Sequence, residues 1–403
     1  MNNFRYWSPT EFVFGRNTVG RLSELIKQWF PKTCPGSPAP RLLIHYGGQS
    51  AIKSGLLAEV ESNLQNNFID YVKLGGVQPN PVDSLVYEGI ELCRREKVNF
   101  ILAVGGGSVI DSAKAIAVGV PYSGDFWNFY DGKVTANQAL PVSVILTIPA
   151  AGSEGSDSSV ITKLSGNLKR GYGTRLFRPV FSIMDPSLTF TLPAYQTACG
   201  VSDMMAHIME RYFSRTPHVE VTDRLCEGLL KAIIENAPRA IAEPDNYDVR
   251  ANIMWAGTVA HNGICGVGRE EDWASHRLEH ELSAHYGVAH GAGLSVIFPA
   301  WMEYVLTSGV DKLVQFAERV WDIPSGNSKT ETARQGIAAL TAFYRSIGLP
   351  VTMKELGIEK PDIDLLLETL ELNMGPVIGN FRKLDMADAR AIYKLAEGAK
   401  SEE

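Results

Sequence analysis

The hydrophobic pattern of this chain changes its period once, near residues 190–198, and that change constrains the fold more than any other feature. Before it, short apolar β-branched runs alternate with helical stretches. RLLIHYGG (41–48), FIDYVKLGG (68–76) and NFILAVGGG (99–107) read as strands; SGLLAEVESNLQNN (54–67), VDSLVYEGIELCRREK (82–97) and SVIDSAKAIAVGV (108–120) read as the helices that follow them. Parallel strands need crossover connections, so this order predicts a parallel sheet with helices on its faces, and such sheets bind ligands at the carboxyl ends of their strands. LPVSVILTIPA (140–150) and PVFSIMDPSL (179–188) supply further apolar runs. From about Pro193 onward the apolar residues recur at helical spacing. The expected fold class is therefore α/β plus all-α: a Rossmann-like, dinucleotide-binding domain over residues 1–195, then an all-helical domain over residues 196–403. Two domains also suit the length, because 403 residues exceed the roughly 250–300 at which one core stops growing. FPKTCPGSPAPR (30–41) reads as a surface loop within the first domain.

Composition removes several classes of function. The net charge of −7, with no basic stripe, argues against a nucleic-acid partner, since duplex binding needs clustered Lys and Arg. The opening MNNFRYWSPTEF lacks the pattern of a secretory signal, and no run approaches the length needed to span a bilayer. The five cysteines, Cys34, Cys93, Cys199, Cys226 and Cys265, are odd in number and include no CxxC pair. Reduced thiols in a cytoplasmic protein are the expectation.

Two glycine turns point to a nucleotide. LAVGGGSVIDSAK sets Gly105, Gly106, Gly107 and Ser108 between a strand and a helix, where the backbone can approach a pyrophosphate and the helix start offers free N–H groups. Asp111 lies one turn further on. After the first strand, Gly47, Gly48 and Ser50 are followed by Lys53, with no carboxylate of the kind that holds a ribose 2′-hydroxyl. That vacancy suits a 2′-phosphate, so NADP(H) is expected, with NAD(H) the alternative.

The helical half carries the stronger constellation. GVSDMMAHIMERYF places Asp203 and His207 four residues apart on one helix face. DWASHRLEHELSAHYGVAHGAG then brings His276, His280, His285 and His290, four of the eight histidines, into a short segment. Histidine and carboxylate are the usual protein ligands of Zn2+ and Fe2+, so Asp203, His207 and two of these histidines make a catalytic type of metal site. His45, His218 and His261 lack that context.

At these residues the chain resembles the iron-containing (group III) alcohol dehydrogenases, which share a fold with glycerol dehydrogenase and dehydroquinate synthase. Within them it is similar to the branch of NADPH-dependent aldehyde reductases often called butanol dehydrogenases. FVFGRN (12–17), GGVQPNP (75–81), AVGGGSVIDSAK (103–114), GSE (152–154), DPSLTFTLP (185–193), GVSDMMAHIMERY (200–212), PDNYDVRANIMWAGT (244–258) and the HxxxH…HG block (276–291) carry the likeness almost end to end. The resemblance implies a metal held by Asp203, His207, His276 and His290, with His280 lining the site as the candidate proton relay. It implies cofactor contacts at Gly106, Gly107, Ser108, Asp111, Asn80, Thr147, Ser153 and Lys169, and a 2′-phosphate pocket at Gly47, Gly48 and Ser50. PAAGSEGS (149–156) departs from the family's TTAGTGSE, with Ala150 and Ala151 in place of hydroxyl residues. The implied activity is reversible reduction of small aldehydes to primary alcohols by a cytoplasmic homodimer. Glycerol or 1,2-diol oxidoreduction, a dehydroquinate synthase-like reaction, and a non-catalytic binding role are the alternatives. Trp273, Ile264 and Phe298 are candidates for setting substrate specificity.

Overall fold

The computed structural model describes residues 1–398. They form two compact units, Trp7–Thr191 and a second made of Met1–Tyr6 with the residues from Leu192 on. The first six residues, expected with the sheet, go with the helices because they are tied there: the Met1 ammonium donates to the Pro217 carbonyl at 2.7 Å and the Asn2 N–H to the Gly268 carbonyl at 2.7 Å.

The first unit contains, in chain order, β1 (Glu11–Phe14), α1 (Leu22–Thr33), β2 (Arg41–Tyr46), α2 (Gln49–Lys53), α3 (Leu56–Asn66), β3 (Asp70–Leu74), α4 (Asp83–Arg95), β4 (Phe100–Gly105), α5 (Gly107–Gly119), α6 (Trp127–Tyr130), β5 (Val142–Leu146), β6 (Ser158–Lys163), β7 (Leu168–Gly173) and β8 (Phe181–Met184). Six strands form one sheet in the order β1-β8-β5-β4-β2-β3, and every pairing in it is parallel. β4 and β5 are buried along their whole length. That is why they read as unbroken apolar runs: a parallel strand covered on both faces has no polar side to alternate with. Leu42, Ile44, Phe100, Leu102, Ile145 and Phe181 lie in one core with Leu22, Leu25 and Ile26 of α1. The order of strands reverses between β2 and β4, the position at which open α/β sheets bind ligands. β6 and β7 form a separate antiparallel hairpin that the sequence reading missed. The expected loop at 30–41 starts later than its prolines suggested, since Pro31 lies within the last turn of α1.

The second unit holds α7 (Ala194–Tyr212), α8 (Glu220–Ala242), α9 (Tyr247–His261), α10 (Ala274–Tyr286), α11 (His290–Val320), α12 (Lys329–Ser346), α13 (Ile363–Met374), a pair of two-residue strands β9 (Val377–Ile378) and β10 (Leu384–Asp385), and α14 (Met386–Ala396). That strand pair is the one departure from an all-helical second half among the described residues. α7 is buried continuously from Gly200 to its end at Tyr212, so it is the central helix of its core. Its polar residues are accordingly desolvated, and each must find a partner or carry a cost. No helix of the described residues is long and apolar enough to cross a membrane.

Candidate metal centre and nucleotide turn

Asp203 and His207 project from the same face of α7. His276 and His280 lie on α10, and His290 is the first residue of α11. Two consecutive helices, α10 and α11, therefore meet α7, some sixty residues earlier in the chain, at one cluster. Donor atoms of Asp203, His276 and His290 all lie within 4.8 Å of one another. His207 stands outside that trio, but its ring is 4.5 Å from that of His276 and its Nδ1 is 3.0 Å from an Asp203 carboxylate oxygen.

The tautomers of the three expected histidine ligands are set alike. His207 Nδ1 donates to the Asp203 carbonyl at 2.9 Å, a bond across one turn of α7. His276 Nδ1 bonds Glu210 Oε1 at 3.0 Å, and His290 Nδ1 bonds Glu279 Oε2. With each Nδ1–H spent on an oxygen, Nε2 is the nitrogen left to bind a cation, the arrangement by which outer carboxylates and carbonyls orient metal-binding histidines. His276 Nε2 is buried with no hydrogen-bond partner, while His290 Nε2 lies 3.8 Å from Asp203 Oδ1. Burial pushes His276 well below the usual histidine range, and the neighbouring His207, His290, His280 and His261 push it further. A neutral imidazole with an orphaned buried nitrogen suits a metal ion.

Glu210 and Glu279 were not found by sequence reasoning. Glu210, fully buried, accepts from the backbone N–H of Trp273 at 2.7 Å and of His276 at 2.9 Å. It therefore serves the start of α10 as a carboxylate borrowed from α7, where the helix dipole favours negative charge. Burial and then the Asp272 carboxylate push its proton affinity well above the ordinary range, a cost that a cation behind His276 opposes. The available signal was Glu210's spacing, three residues after His207 and seven after Asp203 on one face. Glycines explain the HGAG segment: a methyl at Gly291 would sit 2.0 Å from the Cys199 carbonyl oxygen of α7, and one at Gly293 would sit 2.5 Å from Glu279 Oε1.

His280 is buried, with its ring 5.5 Å from that of His290 and 6.5 Å from that of His276. It also falls in a group with Glu279 and His290 whose donor atoms lie within 4.8 Å of one another. His261, given no role by the sequence reading, lies with its ring 4.1 Å from that of His207. His285 turns to the other side of α10, where its Nε2 meets Thr369 Oγ1 at 3.0 Å. It is half-buried and lies outside the group of Asp203, His276 and His290.

In the sheet unit both glycine turns come to the reversal point. Tyr46 of β2 is in register with Val104 of β4, which brings Gly47 and Gly48 alongside Gly105. Thr147, just past β5, donates its N–H to the Gly105 carbonyl at 3.1 Å. Methyls at Gly105 and Gly106 would meet Val109 at 2.5 Å and Ile148 at 2.9 Å, so packing alone demands those two glycines. At Gly107, the first residue of α5, the nearest atom would be Ala151 Cβ at 3.5 Å. The turn that this leaves open, with Ser108 half-buried beside it, fits a phosphate group at the start of a thirteen-residue helix.

Other expected contacts are engaged within the protein. Asp111 accepts from Ser153 Oγ at 2.6 Å and from the Val160 N–H at 2.9 Å, which fastens β6 to α5. Lys169 Nζ donates to Asn80 Oδ1 at 2.9 Å. Gly48 and Ser50 are exposed. Lys114, which the sequence reading left without a role, is fully buried and donates to oxygens of Ser153, Ser156 and Ser158; burial pushes it down to about 8.

Comparison with known proteins gives one consistent answer. Residues 9–186 match the family model described as iron-containing alcohol dehydrogenase, and residues 197–396 match that of the C-terminal part of the Fe-containing alcohol dehydrogenase family. The chain is 38% identical over 395 residues to NADH-dependent butanol dehydrogenase A of Clostridium acetobutylicum, covering 98% of this chain and 99% of the relative. It is 38% identical over 400 residues to the NADPH-dependent aldehyde reductase YqhD of Escherichia coli, covering 98% and 100%. The crystal structure of NADH-dependent butanol dehydrogenase A from Thermotoga maritima superposes with a TM-score of 0.93 at 39% identity, covering 98% of this chain and 99% of that one.

Proposed function

The chain belongs to the iron-containing alcohol dehydrogenase family, and from that premise we propose that it reduces small aldehydes to primary alcohols, reversibly, with NAD(P)H and one divalent ion. The observation that carries this reading is the meeting of Asp203, His276 and His290, whose donor atoms lie within 4.8 Å of one another, with Nδ1 of both histidines bonded to buried glutamates so that Nε2 is left for a ligand. When bound, the ion supplies a Lewis acid for a carbonyl oxygen and the nucleotide supplies the hydride.

The remaining work falls to the chain's own residues. Asp203, His207, His276 and His290 hold the ion, and Glu210 and Glu279 fix two of the rings. One carboxylate against three neutral imidazoles leaves a divalent site with net positive charge, which favours an oxygen that gains negative charge. His280, one turn after His276 and outside the proposed ligand set, holds a proton for the alcohol oxygen. Gly47, Gly48, Ser50, Gly105, Gly106, Gly107 and Ser108 receive the phosphates, while Asp111, Ser153, Asn80, Lys169 and Thr147 brace the loops around them.

Between the nucleotides we favour NADP(H), because residues 46–53 offer two glycines, an exposed Ser50 and an exposed Lys53 but no carboxylate. Relatives of both kinds exist at the same identity, and the preference proposed here rests on this loop alone. Either Fe2+ or Zn2+ suits the donor set. The five cysteines, all free thiols, support a reducing, cytoplasmic setting, and we take the working form to be a homodimer.

The test is elemental analysis of the purified protein together with butanal reduction followed separately with NADPH and NADH. One equivalent of metal and faster turnover with NADPH are expected. No oxidation of either nucleotide across a panel of aldehydes, with metal bound, would defeat the reading. His280→Ala should keep the metal and lose mainly rate, whereas His276→Ala should lose both; equal metal loss in the two variants would remove His280 from the proton role.

A further inference from the structure

Trp273 stands immediately before α10 with φ +67° and ψ +9°, a left-handed conformation that a bulky side chain rarely adopts. Glycine or asparagine would take that backbone at little cost, so an indole here must be held by its surroundings. Its N–H donates to Glu210 Oε2 at 2.7 Å and its carbonyl accepts from the Arg277 N–H at 3.2 Å. Its indole Nε1–H donates to Glu271 Oε2 at 2.7 Å. The Arg211 guanidinium lies 4.7 Å from the ring centre; Arg211 is itself fixed by Glu271 Oε1 at 3.1 Å and by the His207 carbonyl at 2.7 Å. The rings that the indole meets are histidines of the cluster: His276 at 5.1 Å, His207 at 5.8 Å and His261 at 6.0 Å. It remains half-buried, so part of its apolar surface is left for a ligand.

We propose that Trp273 is the specificity-determining wall of this site, with Arg211 and Glu271 as its positioning residues, and that it confines substrates to aldehydes unbranched beside the reacting carbon. The inference rests on the aldehyde-reductase reading above. A ring clamped on its face by a guanidinium and at its nitrogen by a carboxylate cannot swing aside. A methyl branch next to the carbonyl then meets the indole, where a straight chain lies along it. Differences of one methyl group at a fixed apolar wall typically alter kcat/KM by roughly 10- to 200-fold.

The experiment compares kcat/KM for butanal and 2-methylpropanal in the parent and in Trp273→Gly, whose backbone suits the left-handed position, with metal content measured on each. The ratio of branched to straight substrate should rise at least about tenfold in Trp273→Gly with metal retained. Trp273→Phe, which restores a ring for Arg211 to cover but not the bond to Glu271, should give a ratio between those of the parent and of Trp273→Gly. Glu271→Ala, which frees the indole, should raise the ratio of branched to straight substrate, as Trp273→Gly does, and raise KM for butanal more than it lowers kcat. An unchanged ratio in Trp273→Gly with metal bound would overturn the inference, as would a Phe variant no closer to the parent than the Gly variant. A metal-loaded parent inactive on both aldehydes would instead overturn the functional reading, and this inference with it.

Discussion

Glu210 meets three demands with one carboxylate: it accepts from the His276 ring, from the His276 backbone and from the Trp273 backbone. Replacing it with Gln puts an NH2 among N–H donors and removes the charge that orients His276. Outer partners of this kind typically contribute 10- to 100-fold in metal affinity. Glu210→Gln should therefore weaken metal binding by that factor in a competitive chelator titration, and an unaltered affinity would exclude Glu210 from the site. His45, on β2, gives a residue-scale prediction away from the metal. Its Nδ1 bonds the Leu74 carbonyl at 2.9 Å and its Nε2 meets Ser112 Oγ at 2.8 Å. Burial pushes it down to about 4, against the weaker upward pull of the Leu74 bond. Because the folded state binds this proton less readily than the unfolded state, its contribution is complete above pH 6.5 and lost as the pH falls through 4. The amount is about 3 kcal/mol, from roughly 1.4 kcal/mol per pH unit. Denaturant unfolding from pH 7 to pH 4 should show that loss in the parent and its absence in His45→Gln; parallel curves would refute the assignment.

At the scale of elements, the crossing of α7 and α11 depends on Gly291. A methyl there would lie 2.0 Å from a backbone oxygen of Cys199, and backbone cannot turn aside as a flexible side chain can. Gly291→Ala should push the two helices apart, costing about 1–3 kcal/mol of stability by overpacking. It should also weaken metal binding, because His290 is the neighbouring residue and Asp203 lies on the other helix. Thermal melting and metal titration check the two effects together, and a variant with the parent's metal affinity would show that the crossing tolerates the shift. Elements of this kind were unevenly legible. β2, β4 and β5 announced themselves as apolar runs because both their faces are covered. β1 is only four residues with one fully buried, too short to register a period. The β6–β7 hairpin alternates weakly and contains Gly171 and Gly173; its signal was the turn at Ser165, Gly166 and Asn167, the last two with positive φ.

In the molecule as a whole, what could be read from sequence was what local chemistry imposes: the period change, the glycine turns, and the spacing of Asp203, His207 and the later histidines. What could not be read depends on burial and on meetings between distant segments. His261 looked isolated in sequence, yet it packs against His207 from α9. Glu210 and Glu279 looked like ordinary helix carboxylates until their helices proved buried. The same division yields a prediction for the intact chain. The proposed metal ligands come from α7, α10 and α11, all in the helical unit, whereas the glycine turns lie in the sheet unit. A ligand that binds only the native state stabilises it in proportion to the logarithm of its saturation, about 2.7 kcal/mol at a hundredfold excess over Kd. Zn2+ or Fe2+ added to chelator-treated protein should therefore raise the melting temperature and slow hydrogen exchange chiefly in residues 194–212, 274–286 and 290–302. NADPH added alone should slow it chiefly in residues 46–53 and 104–112. A metal footprint on the sheet turns, or a nucleotide footprint confined to the histidine helices, would mean that the two ligands had been assigned to the wrong halves of the chain.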